Sequence, residues 1–230
     1  MIRKILIDFD GTLHDTEAVF ASKLEGLFGL GGRELYQMYL FDIHRNIVHK
    51  RYPDRHDDVD FHWRLLLQHL GEPYDTEKLD LLNARFEEAS KAVLEISKLF
   101  PDAIPFLDRL TDAGYELYLS SGRDSQVKAE GLRKVGGRDY FTLVLGEEVL
   151  GRYKHKPTYY REALKAIGSS AEEALSVGDT ILTDIFPAKA VGIRTVWVNR
   201  KREELPTDAV MTPDYEVTDL YSALNYVLSM

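Results

Sequence analysis

The stretch Ile5-Leu6-Ile7-Asp8-Phe9-Asp10-Gly11-Thr12-Leu13 constrains this chain more than any other. An apolar run rich in isoleucine reads as a strand buried on both faces. It ends in two carboxylates one residue apart, followed by glycine. Residues i and i+2 of a strand point the same way, so Asp8 and Asp10 would share a face and repel each other if the strand continued. Such a cluster is costly unless a cation or a shared proton offsets it. Gly11 lets the backbone turn sharply. The bland alternative is a strand ending in a solvated polar turn. The rest of the chain argues against it, because it supplies partners for a metal site.

The remaining pattern says where those partners come from. After Thr16 the periodicity becomes helical, with Phe20, Leu24, Leu27 and Phe28 on one face and glycines at 29, 31 and 32 interrupting it. Leu35, Met38 and Tyr39 begin a second helical stretch, Trp63 to Leu70 a third, and Leu79 to Ile96 a long fourth. No convincing strand is read between Thr16 and Phe100. From Pro101 the chain alternates. Helices are expected over 105–113, 126–135, 158–167, 185–191 and 220–228, and strands over 117–120, 141–145, 174–177 and 194–198. Strands alternating with helices predict a parallel sheet in an open α/β fold. The polar stretch 201–214, with two prolines, reads as a surface loop. In such sheets ligands bind at the carboxyl ends of the strands, near the point where strand order reverses. Three strands here end in chemically useful groups, at Asp8, Ser120 and Asp179.

Composition narrows the function. The net charge of −9 disfavours nonspecific binding to nucleic acid or to a membrane surface. The absence of cysteine excludes disulfides, thiolate zinc sites and thiol nucleophiles. Charged residues from Arg3 onward interrupt any apolar leader, and no run is long enough to span a bilayer. A cytoplasmic enzyme without nucleic-acid or membrane partners fits; the oligomeric state is left open.

Asp8-Phe9-Asp10-Gly11-Thr12 resembles the DxDGT signature of the haloacid dehalogenase-like superfamily, in its phosphatase branch of phosphoglycolate phosphatase-like enzymes. The resemblance extends to three further motifs in the family's order. Ser120 follows a hydrophobic strand, Lys156-Pro157 opens a helix, and Gly178-Asp179-Thr180 with Asp184 matches a GDxxxxD pattern. Four ordered motifs are far more specific than one. The resemblance implies a Rossmann-like α/β core with a parallel sheet in the order 3-2-1-4-5, over residues 1–15 and 98–230. Residues 16–97 would form an inserted all-helical cap.

It also implies a chemistry: a Mg²⁺-dependent phosphatase acting on a small phosphorylated metabolite through an aspartyl-phosphate. Asp8, the Asp10 carbonyl and Asp179 would hold Mg²⁺, with Asp184 binding directly or through water. Asp8 would be the nucleophile and Asp10 the acid and base. Ser120 would bind a phosphoryl oxygen, with Ser121 the alternative one position on. Lys156, with Lys154 as its competitor, would neutralise charge on the transferring group. Thr12 would steady the Asp10 side.

Substrate choice is expected in the cap, where His44, Arg45, His49, Lys50, Arg51 and Tyr52 form a basic and aromatic cluster in an acidic protein. No further ligand pattern accompanies these histidines, so metal binding there is not expected. A phosphomutase uses the same residues and stays open as an alternative. A haloacid dehalogenase shares the nucleophile but needs no second aspartate. A phospho-accepting switch would carry its acceptor at the end of the third strand.

Overall fold

The computed structural model describes residues 2–205 and 211–230, so part of the expected surface loop at 201–214 lies outside the described residues. The chain divides into two compact units, Met1–Asp15 with Leu99–Met230, and Thr16–Lys98.

The first unit is built on one sheet in the order β3-β2-β1-β4-β5-β6. Its strands are β1 Lys4–Ile7, β2 Glu116–Ser121, β3 Phe141–Gly146, β4 Ala174–Gly178, β5 Arg194–Val198 and β6 Tyr215–Val217, and every pairing is parallel. β1 sits between β2 and β4, and Ile5, Leu6 and Ile7 are fully buried, as a central strand covered on both faces requires. One face is covered by Tyr159, Tyr160 and Ala163 of the helix Pro157–Ala166, which pack with Leu6, Tyr118 and Leu145 of the sheet. The sixth strand extends the five that were expected. It is only three residues long and largely exposed, so it carries no apolar alternation to read. The helix anticipated over 185–191 is also different: a π-helical turn, Ile181–Ile185, precedes an α-helix confined to Phe186–Lys189. Pro187 has no N–H to donate and is tolerated only in a first turn, which places the start of the α-helix beside it.

The second unit is helical. Its main helices are Thr16–Leu24, Gly32–Gln37, Val59–Leu70 and Thr76–Leu94. Leu24, Leu35, Ile43, Val48, Trp63, Leu66, Leu67 and Leu82 form its buried core. Gly32 lies so near the first helix that a Cβ there would come within 1.9 Å of the Ala21 carbonyl oxygen, so only glycine permits this approach. Between Gln37 and His49 the chain runs as an eleven-residue π-helix, Met38–Val48. Apolar residues five apart explain it: Met38, Ile43 and Val48 recur at the π period, and the last two are fully buried. The same period aligns His44 with His49, whose N–H donates to the His44 carbonyl. Burial, with His49, His56, His62 and Arg45 adding to it, pushes His44 down to about 2, so its ring is neutral. Among the described residues no helix is long and apolar enough to cross a membrane.

Candidate active site

The carboxyl ends of β1, β2 and β4 meet at one edge of the sheet. Ile7 is in register with Leu119 on one side and Val177 on the other, and the Asp8 N–H donates to the Val177 carbonyl at 2.9 Å. The order reverses here, since β2 and β3 lie to one side of β1 and β4 onward to the other; this is the crevice where an open α/β sheet binds ligands.

Asp8 leaves β1 into a tight turn closed by Gly11 N–H to the His14 carbonyl, and by Leu13 and His14 N–H to the Phe9 carbonyl. Its side chain is buried. Oδ2 accepts from Thr12 Oγ1 at 3.0 Å and Oδ1 from Lys154 Nζ at 2.5 Å. Lys154 also lies 2.5 Å from Asp184 Oδ1 and donates to the Ser120 carbonyl at 2.7 Å. Burial, then the Asp184 charge, pushes Asp8 well above the usual carboxylate range; Lys154 pulls it back, and Asp179 and Asp10 push it further up. Burial alone would lower the Lys154 ammonium, but Asp184 and Asp8 outweigh it and hold that group protonated.

Asp10 differs. Its side chain is 38% exposed, and Oδ2 is ion-paired with Lys128 Nζ at 2.7 Å. Lys128 is itself buried, donates to Ser121 Oγ at 3.2 Å, and sits 5.1 Å from the Phe9 ring centroid. Two carboxylates one residue apart therefore have separate cationic partners and different access to solvent.

Asp8, Asp179 and Asp184 each bring one carboxylate oxygen within 4.8 Å of the others. Asp184 is placed by the π-turn: Oδ2 accepts from the Thr180 N–H at 2.9 Å, and its carbonyl accepts from Ser176 Oγ at 2.9 Å. Asp179 is anchored through its carbonyl, which accepts from Trp197 Nε1 at 2.7 Å. Gly11 and Gly178 make the cluster possible. A Cβ on Gly11 would stand 2.1 Å from Asp179 Oδ2, and one on Gly178 would stand 2.4 Å from the Asp184 side chain. In this group four carboxylates, Asp8, Asp10, Asp179 and Asp184, face two ammonium groups, Lys128 and Lys154. The oxygen-only donors and the surplus negative charge suit a hard divalent cation.

The structure thus gathers Asp8, Asp10, Ser121, Asp179 and Asp184 at one edge. Two of the residues singled out from sequence are placed elsewhere. Lys156 is exposed at the start of the helix Pro157–Ala166, and Lys154 takes the buried position against Asp8. The reason lies in the loop: the Lys154 N–H is fixed by Glu147 Oε1 at 2.7 Å, which turns this lysine inward. Ser120 and Ser121 alternate across β2. The Ser120 hydroxyl lies 3.1 Å from the Tyr159 hydroxyl, in the core beneath the sheet edge, whereas Ser121 Oγ meets Lys128. Only the carbonyl of Ser120 serves the site. Thr12 supports Asp8, not Asp10. Lys128 escaped the sequence reading, although its signal was there. With Ser125 and Leu132 it occupies the buried stripe of the helix Ser125–Gly136, an unusual place for a lysine without a buried partner.

Comparison with known proteins agrees with this geometry. The family described as haloacid dehalogenase-like hydrolase matches residues 2–192. A ribulose-1,5-bisphosphate 5-phosphatase of Halopiger xanaduensis is 29% identical over 95% of this chain and 92% of its own length. A glyceraldehyde 3-phosphate phosphatase of Pyrococcus abyssi is 29% identical over 86% of this chain and 81% of its own. Among solved structures, the L-2-haloacid dehalogenase RSc1362 superposes with a TM-score of 0.74 at 25% identity, covering 99% of both chains.

Proposed function

This chain belongs to the haloacid dehalogenase-like hydrolases, and from that premise we propose that it is a phosphatase of a small phosphorylated metabolite, working through an aspartyl-phosphate on Asp8. The observation that carries the reading is the contrast between the two carboxylates. Asp8 is buried and held on both oxygens, by Thr12 and Lys154, whereas Asp10 is partly open and held by Lys128. A nucleophile needs a fixed direction of attack, and an acid and base needs room to exchange protons with a leaving group and with water. Displacing halide requires no proton donor, so a second, positioned aspartate favours phosphate over the dehalogenase chemistry of the structural neighbour. The phosphatases of sugar phosphates among the relatives support the substrate class.

In this reading Asp8 attacks phosphorus in line with the departing alkoxide, and Asp10 gives that oxygen its proton. Asp10 then takes a proton from the water that cleaves the acyl phosphate, which restores Asp8. Lys154 neutralises charge near the attacking oxygen, and Ser121 donates to a phosphoryl oxygen. Lys128 orients Asp10. A divalent cation, Mg²⁺ by its preference for oxygen donors, would be held by Asp8, Asp179, Asp184 and the Asp10 carbonyl, and would screen the repulsion between carboxylate and phosphate dianion.

Rapid-quench kinetics with p-nitrophenyl phosphate test the roles. Asp10→Asn retains the nucleophile, and p-nitrophenolate leaves well without a proton. The variant should therefore release a burst of product and gain the mass of one phosphoryl group. Its steady-state rate should fall roughly 10²–10⁴-fold. Asp8→Asn should give neither burst nor adduct. An adduct on Asp8→Asn, or normal turnover by Asp10→Asn, would overturn the assignment.

A further inference from the structure

We infer that the imidazoles of His44, His49 and His56 form a three-nitrogen site for a divalent late first-row transition metal, with Zn²⁺ the ion its donors best suit. The site lies wholly within the helical unit and is separate in donor chemistry from the carboxylate cluster. One ring nitrogen from each of the three histidines lies within 4.8 Å of the others. His49 Nε2 and His56 Nδ1 are 2.9 Å apart, and the His44 ring centroid is 4.3 Å from that of His49 and 5.1 Å from that of His56. Tetrahedral Zn²⁺ with Zn–N bonds of about 2.0–2.1 Å separates its nitrogens by about 3.3–3.4 Å. The His49–His56 separation is within about 0.5 Å of that value, and the third nitrogen lies within 4.8 Å of both.

The backbone explains why these three meet. In an α-helix, residues five apart point about 140° away from each other, by the geometry of 3.6 residues per turn. The π-helix Met38–Val48 carries the i→i+5 bond from His49 N–H to the His44 carbonyl, which sets both residues on the same side. The chain then turns through Pro53–Arg55 and brings His56 back against His49. Without the π period the sequence offers no ligand spacing, which is why these histidines looked unpatterned.

The surroundings favour ligation over a plain hydrogen-bonded stack. The His44 ring faces those of both His49 and His56. Its Nδ1 is buried with no hydrogen-bond partner among the described residues. Buried polar atoms of a folded chain have partners, and a bound ion is one of the few things that can supply one. His62, the fourth ring of the cluster, is engaged at both nitrogens. Nε2–H donates to the Arg55 carbonyl at 3.1 Å, leaving Nδ1 to accept from Tyr39 Oη at 3.4 Å. It therefore buttresses the other rings and leaves a fourth metal position to water or an anion. Three imidazoles with no thiolate select Zn²⁺, Ni²⁺ or Cu²⁺ over Mg²⁺, which prefers oxygen. A metal here would clasp the end of the π-helix to the turn at 53–56.

The test uses the full, untagged chain with the carboxylate cluster saturated by Mg²⁺. Zn²⁺ titrated against a chromophoric chelator should bind at one equivalent. Co²⁺ in its place should give the intense visible d–d bands of a four-coordinate site. His49→Gln and His56→Gln should each weaken Zn²⁺ binding by more than the ~10–100-fold typical of losing a group that only orients a ligand. Asp179→Asn should leave the stoichiometry unchanged. Helical circular dichroism of each variant reports whether the unit is folded, and the Co²⁺ spectrum needs no variant at all. Absence of the bands and of tight Zn²⁺ binding in the unmodified chain would overturn the inference. So would Zn²⁺ binding lost in Asp179→Asn but kept in both histidine variants.

Discussion

Lys154 and Lys156 differ by two positions in sequence and by everything that matters chemically. One is buried between Asp8 and Asp184; the other is exposed at a helix start. Lys154→Met should therefore reduce kcat by roughly 10²–10³-fold, the scale set by losing one preorganised donor, while Lys156→Met should stay within about twofold; steady-state kinetics on a generic aryl phosphate distinguish them. A dependence on Lys156 equal to that on Lys154 would refute the placement. Gly11 offers a second check. It has φ of +83°, and a Cβ would strike Asp179. Gly11→Ala should raise the Mg²⁺ concentration needed for half-maximal activity far more than it changes the far-ultraviolet circular dichroism. The motif residues Asp8, Asp10, Asp179 and Asp184 were legible in sequence because each closes a strand or a fixed spacing. The lysine was not, because a loop aims it, and no local pattern encodes the inward turn imposed by Glu147.

At the scale of elements, the loop carrying Asp8 and Asp10 is latched from outside the motif. Arg200, just beyond β5, donates to the Thr12 carbonyl at 3.0 Å and pairs through both terminal nitrogens with Asp102, at 3.0 and 2.8 Å. Asp102 Oδ2 also accepts from the Leu220 N–H at 2.8 Å, tying in the helix Leu220–Leu228, and the guanidinium lies 3.9 Å from the Phe100 ring centroid. Asp102→Ala strands a mostly buried guanidinium and should cost roughly 3–5 kcal/mol of unfolding free energy, read by urea titration; a loss under 1 kcal/mol would refute the latch. Most elements were legible from periodicity, since the sheet strands are short apolar runs and the helices carry clear stripes. What periodicity missed has a common cause. A template with 3.6 residues per turn does not register Met38, Ile43 and Val48, and it runs straight through the π-turn that seats Asp184. The sixth strand is too short and exposed for any template.

For the molecule as a whole, the surplus negative charge at the sheet edge should make stability respond to cation. A ligand at 100 times its Kd adds about 2.7 kcal/mol. For a unit of this size that raises Tm by roughly 5–11 °C. Differential scanning calorimetry with and without saturating Mg²⁺ should show the shift, and Asp179→Asn should lose most of it; an unshifted wild-type transition would argue against cation binding at the cluster. The division of the chain also bears on how it is made. β1 lies at the centre of the sheet, yet Lys4 pairs with Glu116 on one side and with Ala174 on the other. At about 5–20 residues per second, a ribosome delivers those neighbours roughly 5–30 s after β1 itself. During that interval the apolar Ile5-Leu6-Ile7 run has no sheet to join, whereas the helical unit, complete by Lys98 and rich in local contacts, can already fold. The nascent chain would thus present a finished helical bundle beside a waiting hydrophobic strand, the kind of exposed segment that chaperones bind.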